Sequence, residues 1–314
     1  MTRNNIEWHK DRYGVCRLEL ARPQAINALS SAMIDDMTGL LQEWAADESV
    51  ARVDLAGQLP GFCAGADVRE LRSMVIDQTG DPVDFLAREY RLDSLIATYP
   101  KPISAYLWGI VMGGGLGLVI NARSRVVARG ADLAMPETRI GLWPDVGMTY
   151  HLSRMPGEVG TYMALTGGEI TGDQAVTYGL CTDLDIGDGQ RDRFRVVRDW
   201  DWMAEAFAGD DIVEIVNRLE NHPLTEAREV AAELRKRAPL SVAVTLRALR
   251  RAAKMSLEEV FAQDLELGKF FVHRPDFAEG VRAQLIDKDA NPHWTHSRVE
   301  EVTEGEVREA FGER

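Results

Sequence analysis

The chain has 314 residues, 45% of them apolar, with 36 basic and 50 acidic side chains and a formal net charge of −14. That is enough material for one large core or two unequal ones. The acidic balance argues against nucleic acid or an anionic membrane as the main partner, but leaves room for a phosphorylated ligand held by local charge and backbone amides.

The polar start, MTRNNIEWHKDRYG, reads unlike a signal or transit peptide. Trp8, then Val15, Leu18 and Leu20 beyond a turn at 11–14, predict a strand hairpin. Ser30 or Ser31 caps a helix whose Met33, Met37, Leu40, Leu41 and Trp44 fall on one face. Val53 and Leu55 predict a short buried strand, and Val68, Leu71 and Val75 a helix. Pro82 opens another helix, carrying Phe85, Leu86, Leu92, Leu95 and Ile96. A strand over 100–107, a glycine turn with a helix, and a strand at 125–129 follow. The apolar run at 110–120 is too short and glycine-rich to span a membrane. This alternation predicts an α/β core with crossover connections. From about Gly147 the pattern is almost wholly helical: Thr171 caps a helix that Gly179 stops, and 240–255, 257–271 and 275–286 read as amphipathic helices. The stretch 183–211 is aspartate-rich and irregular, and Arg247, Arg250, Arg251 and Lys254 read as a solvated helix face. We divide the chain into a core, 1–200, and a helical C-terminal module, 201–314. Cys16, Cys63 and Cys181 form no CxxC pair and suit a reducing compartment, the cytoplasm. The six histidines lack zinc-ligand spacing, so no metal is expected.

The segment from Trp108 to Gly147 is the richest in chemistry. Gly113, Gly114 and Gly115 stand at a predicted helix start, where exposed N–H groups and the helix dipole favour negative charge. Glu137 and Asp145 follow, and the earlier GFCAGAD, 61–67, can supply a second amide. Amides beside a carboxylate suit acyl chemistry, because the amides hold a developing oxyanion while the carboxylate attacks or moves protons. A dinucleotide fingerprint does not fit: its sixth position is Leu118 counted from Gly113 and Ile120 from Gly115. The P-loop, G-x-S-x-G and H-E-x-x-H patterns are absent. On glycine content alone, close helix–strand packing explains the glycines equally well.

Five segments in order, FCAGADVREL, VMGGGLGL, MPETRIGLWPDVG, ALTGGEITGDQAVTYGL and DFAEGVRAQLIDKDANPHW, resemble the crotonase (enoyl-CoA hydratase/isomerase) superfamily over nearly the whole chain. MPET with PDVG, and the ending VRAQLIDKD-x-x-P-x-W, resemble its 3-hydroxyisobutyryl-CoA hydrolase branch. The resemblance implies a crotonase-like α/β fold, a spiral of ββα units with the helical C-terminal module. It also implies an acyl-CoA substrate with CoA as part of the substrate, no tightly bound cofactor, and assembly into trimers or hexamers. By the same resemblance the backbone N–H groups of Ala66 and Gly114 form an oxyanion hole. Ala66 replaces a glycine usual in the branch, which narrows the pocket by a methyl group and leaves the backbone role intact. Glu137 is implied as the catalytic glutamate, attacking the thioester carbonyl or activating water. Asp145 is implied as a second acid that positions water or bonds a β-hydroxyl, the alternative being a helix cap before Val146 to Tyr150. Glu89 matches a residue lining the substrate pocket, while Arg22, Asp67, Arg69 and the Ala64 backbone stand where the family contacts CoA. Gly117 departs from the hydratases, which carry a second glutamate there. The departure favours hydrolysis of a short β-hydroxyacyl-CoA, namely 3-hydroxyisobutyryl-CoA of valine breakdown, over hydration. Isomerisation with a single glutamate and a catalytically silent CoA-binding protein stay open.

Overall fold

Alternating apolar residues near the N-terminus build one edge of the main sheet. In the computed structural model, which describes residues 1–185 and 201–313, β1 (Thr2–Arg3), β2 (Ile6–Lys10) and β3 (Val15–Leu20) pair antiparallel, with Trp8 opposite Leu18. The Asp11 carboxylate accepts from the Tyr13 and Val15 amides at 2.8 and 2.9 Å and closes the hairpin turn. Ser30 is the cap of α1 (Ser31–Ala46), accepting the Met33 N–H. The chain continues through β4 (Arg52–Gly57), α2 (Val68–Ile76), α3 (Pro82–Ala97), β5 (Ile103–Leu107), β6 (Ile110–Met112), α4 (Gly114–Ile120), β7 (Ser124–Ala128) and β8 (Asp132–Ala134). Next come α5 (Met148–Leu152), α6 (Val159–Thr166), β9 (Ile170–Thr171), α7 (Gly172–Thr177) and β10 (Asp183–Asp185).

The main sheet has seven strands in the order β1-β2-β3-β4-β5-β7-β10, parallel from β3 onward, and a second sheet has the order β6-β8-β9. Single bridges, Leu29 with Ala66 and Cys63 with Val111, lie outside the named strands. The chain therefore repeats one path: a main-sheet strand, a short second strand or bridge, then a helix or turn. It does so from β4 through Cys63 to α2, from β5 through β6 to α4, and from β7 through β8 to a turn at Glu137–Ile140. β4 is buried on both faces from Val53 to Gly57, whereas β5 alternates, with Ile103, Ala105 and Leu107 buried and Tyr106 exposed.

The helices that follow are α8 (Asp201–Ala206), α9 (Ile212–Glu220), α10 (Thr225–Leu234), α11 (Pro239–Ala252), α12 (Leu257–Phe271), α13 (Pro275–Val281) and α14 (Glu304–Ala310). Four expectations change. β9 and β10 lie beyond Gly147, where the sequence reads as helical, because strands of two or three residues carry too little alternation to read. The stretch 183–211 holds β10 and α8, while residues 186–200 lie outside the described residues. The helix read over 275–286 stops at Val281 and widens into a π turn at Arg282–Ile286. The basic face of α11 is tied to acids as well as solvated: Arg247 pairs with Glu304 at 2.6 Å and Glu313 at 2.7 Å, Arg250 with Glu158 at 2.9 Å, and Arg251 with Glu313 at 2.5 Å.

Contacts divide the described residues into a sheet unit, 1–67, 87–134 and 169–185, and a helical unit, 68–86, 135–168 and 201–313. The division is interleaved along the chain, whereas the sequence reading cuts it once, near residue 200. The sheet unit buries Ile6, Leu18, Met33, Leu41, Leu55, Phe62 and Leu107; the helical unit buries Trp143, Met163, Leu219, Leu249, Leu267, Phe271 and Phe277. On α12, Leu267 and Phe271 are turned inward.

Candidate active site

One group of site residues belongs to the sheet unit. Leu29 N–H donates to Gly65 O and Asp67 N–H donates to Leu29 O, each at 2.8 Å, a parallel bridge centred on Ala66. The N–H of the residue at the centre of such a bridge points away from its partner. Gly114, the first residue of α4, lies close by: a Cβ built on it would stand 3.2 Å from the Ala66 nitrogen. The Gly114 N–H is one of those that a helix start leaves without an intrahelical acceptor. Among the described residues neither N–H has a hydrogen-bond acceptor.

Glu89 on α3 reaches the same spot. A side chain at Gly114 would collide with Glu89 Oε1, so glycine there makes room for the carboxylate. Glu89 is 1% exposed, and Asp93, one turn further along α3, is 0% exposed. Burial first, then the Glu89 and Asp93 carboxylates, push the Cys63 thiol up to about 12. Gly117 lies buried within α4 and contributes no carboxylate. Arg22 and Asp67 pair with each other at 2.7 Å, and Arg22 also donates to Ala28 O at 3.1 Å. Ala64 donates its N–H to Ile26 O at 2.9 Å, so its carbonyl is the group open to a ligand.

The other group belongs to the helical unit. Glu137, 7% exposed, opens the turn after Pro136. The turn is held at several points: Thr138 Oγ1 donates to Leu165 O at 3.1 Å, Ala238 N–H to Thr138 O at 3.0 Å, and Arg139 to Gly167 O at 2.7 Å. Gly141 closes it at φ 74°, and a Cβ there would stand 2.5 Å from the Asp276 carbonyl carbon. Only glycine meets both demands. Arg69 is exposed and donates to Leu285 O at 2.7 Å.

Asp145 is 9% exposed and precedes two left-handed residues, Val146 at φ 51° and Gly147 at φ 74°. α5 starts later than the sequence suggests, so Gly147 rather than Asp145 occupies its cap position, and Met148 N–H donates to the Asp145 backbone oxygen at 2.8 Å. Asp264 on α12, 0% exposed, meets this segment. Its Oδ1 accepts from Trp143 Nε1 at 3.2 Å and its Oδ2 from the Gly147 N–H at 2.9 Å. Burial first, then the neighbouring Asp145, raise the Asp264 carboxyl well above the usual carboxylate range. The sequence reading missed both Asp264 and Asp93. The available signal was an acid on a buried helical stripe: Val260, Asp264, Leu267 and Phe271 fall on one face of α12. Among the described residues no group of three or more acids, histidines or cysteines is placed to hold a metal ion, and no helix is long and apolar enough to cross a membrane.

A family model described as enoyl-CoA hydratase/isomerase matches residues 15–185 and 185–311. A Gallus gallus protein named 3-hydroxyisobutyryl-CoA hydrolase, mitochondrial, is 34% identical over 94% of this chain and 85% of its own. The crystal structure of a carnitinyl-CoA dehydratase from Mycobacterium thermoresistibile superposes with a TM-score of 0.91 at 34% identity, covering 98% of this chain and 96% of that one. An enoyl-CoA hydratase from Rhodobacter sphaeroides gives a TM-score of 0.91 at 33% identity, covering 99% and 98%.

Proposed function

The chain belongs to the enoyl-CoA hydratase/isomerase family, and from that premise we propose that it hydrolyses a short β-hydroxyacyl-CoA thioester, 3-hydroxyisobutyryl-CoA of valine breakdown, to the free acid and CoA. The observation that carries the reading is the pair of N–H groups at Ala66 and Gly114, together with glycine at 117 where a hydratase carries a glutamate. The two N–H groups take the charge that develops on the thioester oxygen, and removing one such donor typically costs about 2.7–4 kcal/mol. Glu137 removes a proton from the water that attacks the carbonyl carbon, or attacks that carbon itself to give an anhydride that water then opens. In either course the carbon–sulfur bond breaks, the thiolate leaves and is protonated, and one water is consumed. Asp145 orients water or accepts from the β-hydroxyl, and Glu89 lines the acyl pocket. Arg22, Asp67, Arg69 and the Ala64 carbonyl contact the CoA part of the substrate. No tightly bound cofactor and no metal enter this reading. Three free buried cysteines fit a reducing compartment, and we assign the protein to the cytoplasm as a homo-oligomer, trimer or hexamer. The name of the Gallus gallus relative places that protein in mitochondria.

The test is free-thiol release from a panel of CoA esters, with products identified by mass. The wild type releases thiol fastest from 3-hydroxyisobutyryl-CoA, and Glu137→Gln lowers kcat by about 10²- to 10⁴-fold. Full hydrolysis by Glu137→Gln would refute the role given to that residue. A single turnover in ¹⁸O-water tests direct attack: label in the Glu137 carboxylate establishes the anhydride, with water opening it at the glutamyl carbon. A second reading, hydration or isomerisation of an enoyl-CoA, draws support from the likeness to a dehydratase and a hydratase. Loss of the conjugated thioester absorbance without thiol release would establish it.

A further inference from the structure

We propose that Asp264 is a positioning residue for Asp145, holding the left-handed turn at 146–147 through its two hydrogen bonds and so aiming the Asp145 carboxylate. The proposal rests on the hydrolase reading, in which Asp145 acts on water or on the substrate hydroxyl. Three observations carry it. First, Asp264 sits fully buried on the stripe of α12 that otherwise carries Val260, Leu267 and Phe271. An apolar residue of similar size is usually no worse for stability at such a place, so the acid calls for another explanation. Second, its two oxygens bracket Asp145 in the chain: one accepts from the Trp143 indole at 3.2 Å, the other from the Gly147 amide at 2.9 Å. Third, Val146 is β-branched yet sits at φ 51°, a conformation that persists only when its surroundings over-determine it.

The rest of α12 completes the support. Phe271 stacks on Trp143 with ring centroids 5.3 Å apart, and a Cβ at Gly147 would lie 3.0 Å from Phe261 and 3.1 Å from Leu257. One helix face therefore sets residues 143–147. Asp145 also acts on Asp264 through its charge. Burial and that charge both favour the protonated form of Asp264.

The experiment combines Asp264→Ala, Asp264→Asn and Asp145→Asn in the full chain, reading kcat and KM for thiol release. Asp264→Ala lowers kcat by about ten- to a hundredfold while KM moves less than about threefold. Asp264→Asn, which keeps one of the two acceptors and fills the same space, loses less. In the Asp145→Asn background Asp264→Ala costs little more, because it acts through the residue already changed. Losses that multiply independently in the double variant would overturn the proposal. Hydrogen exchange of the Trp143 indole and Gly147 amide gives a readout without turnover: slow in the wild type, fast in Asp264→Ala. If the wild type releases no thiol from any ester, the hydrolase reading falls by itself and exchange decides the positioning role. Equal exchange rates in wild type and variant would then overturn it, and a difference would sustain it. If Asp264→Ala fails to fold, Asp264→Asn serves in both measurements.

Discussion

Gly114 has no room for an added methyl group, because its Cβ would meet Glu89 Oε1 and stand against the Ala66 nitrogen. On the proposed hydrolase reading, in which its N–H is one of two oxyanion donors, Gly114→Ala is expected to lower kcat by about a hundredfold. Gly130→Ala, which points into open space, is the control and leaves kcat unchanged. At this scale the sequence shows which residue types to look for but not how they are held. Glu137 is visible in MPET, and Ala66 and Gly114 in two glycine motifs. The pairing of Arg22 with Asp67 spans 45 positions and that of Gly147 with Asp264 spans 117. Contacts between residues so far apart leave no local pattern to read.

Helix ends are the most legible elements, because a capping box is written in adjacent residues. Thr171 with Gln174, Ser256 with Glu259 and Thr303 with Glu306 all form reciprocal bonds. Ser30→Ala is expected to cost about 1 kcal/mol by removing the cap of α1. Gly39, exposed within the same helix and with open space beyond its Cα, gives the opposite sign: Gly39→Ala should add about 0.5–1 kcal/mol. Urea unfolding of the two variants measures both. The crotonase-like α/β fold expected from five ordered motifs is the one found, with its repeated strand, second strand and helix. The short strands β9 and β10 and the π turn after α13 are set by pairing and packing rather than by local preference, and so leave no trace in the pattern.

The behaviour of the whole molecule with pH follows from its buried thiols. Burial is the first cause that raises Cys63 and Cys181 to about 12 from an ordinary value of 9.0. A raised folded-state value means stability that is intact below 9.0 and is lost as pH climbs towards 12, because the unfolded chain gives up those protons first. The urea midpoint should therefore fall steadily across that window, and Cys63→Ala should flatten the fall. A midpoint that stays level would contradict the burial of both thiols. The acidic surplus of the chain is in part consumed internally, since Glu304, Glu313 and Glu158 neutralise the arginines of α11. The turn that presents Glu137 is braced from late in the chain, by the Ala238 amide on Thr138 and by the backbone of Asp276 against Gly141. A stop codon ahead of either support would silence the enzyme by leaving its acid unanchored. Changes at Ala238 or Asp276 should therefore disable an acid encoded far upstream of them.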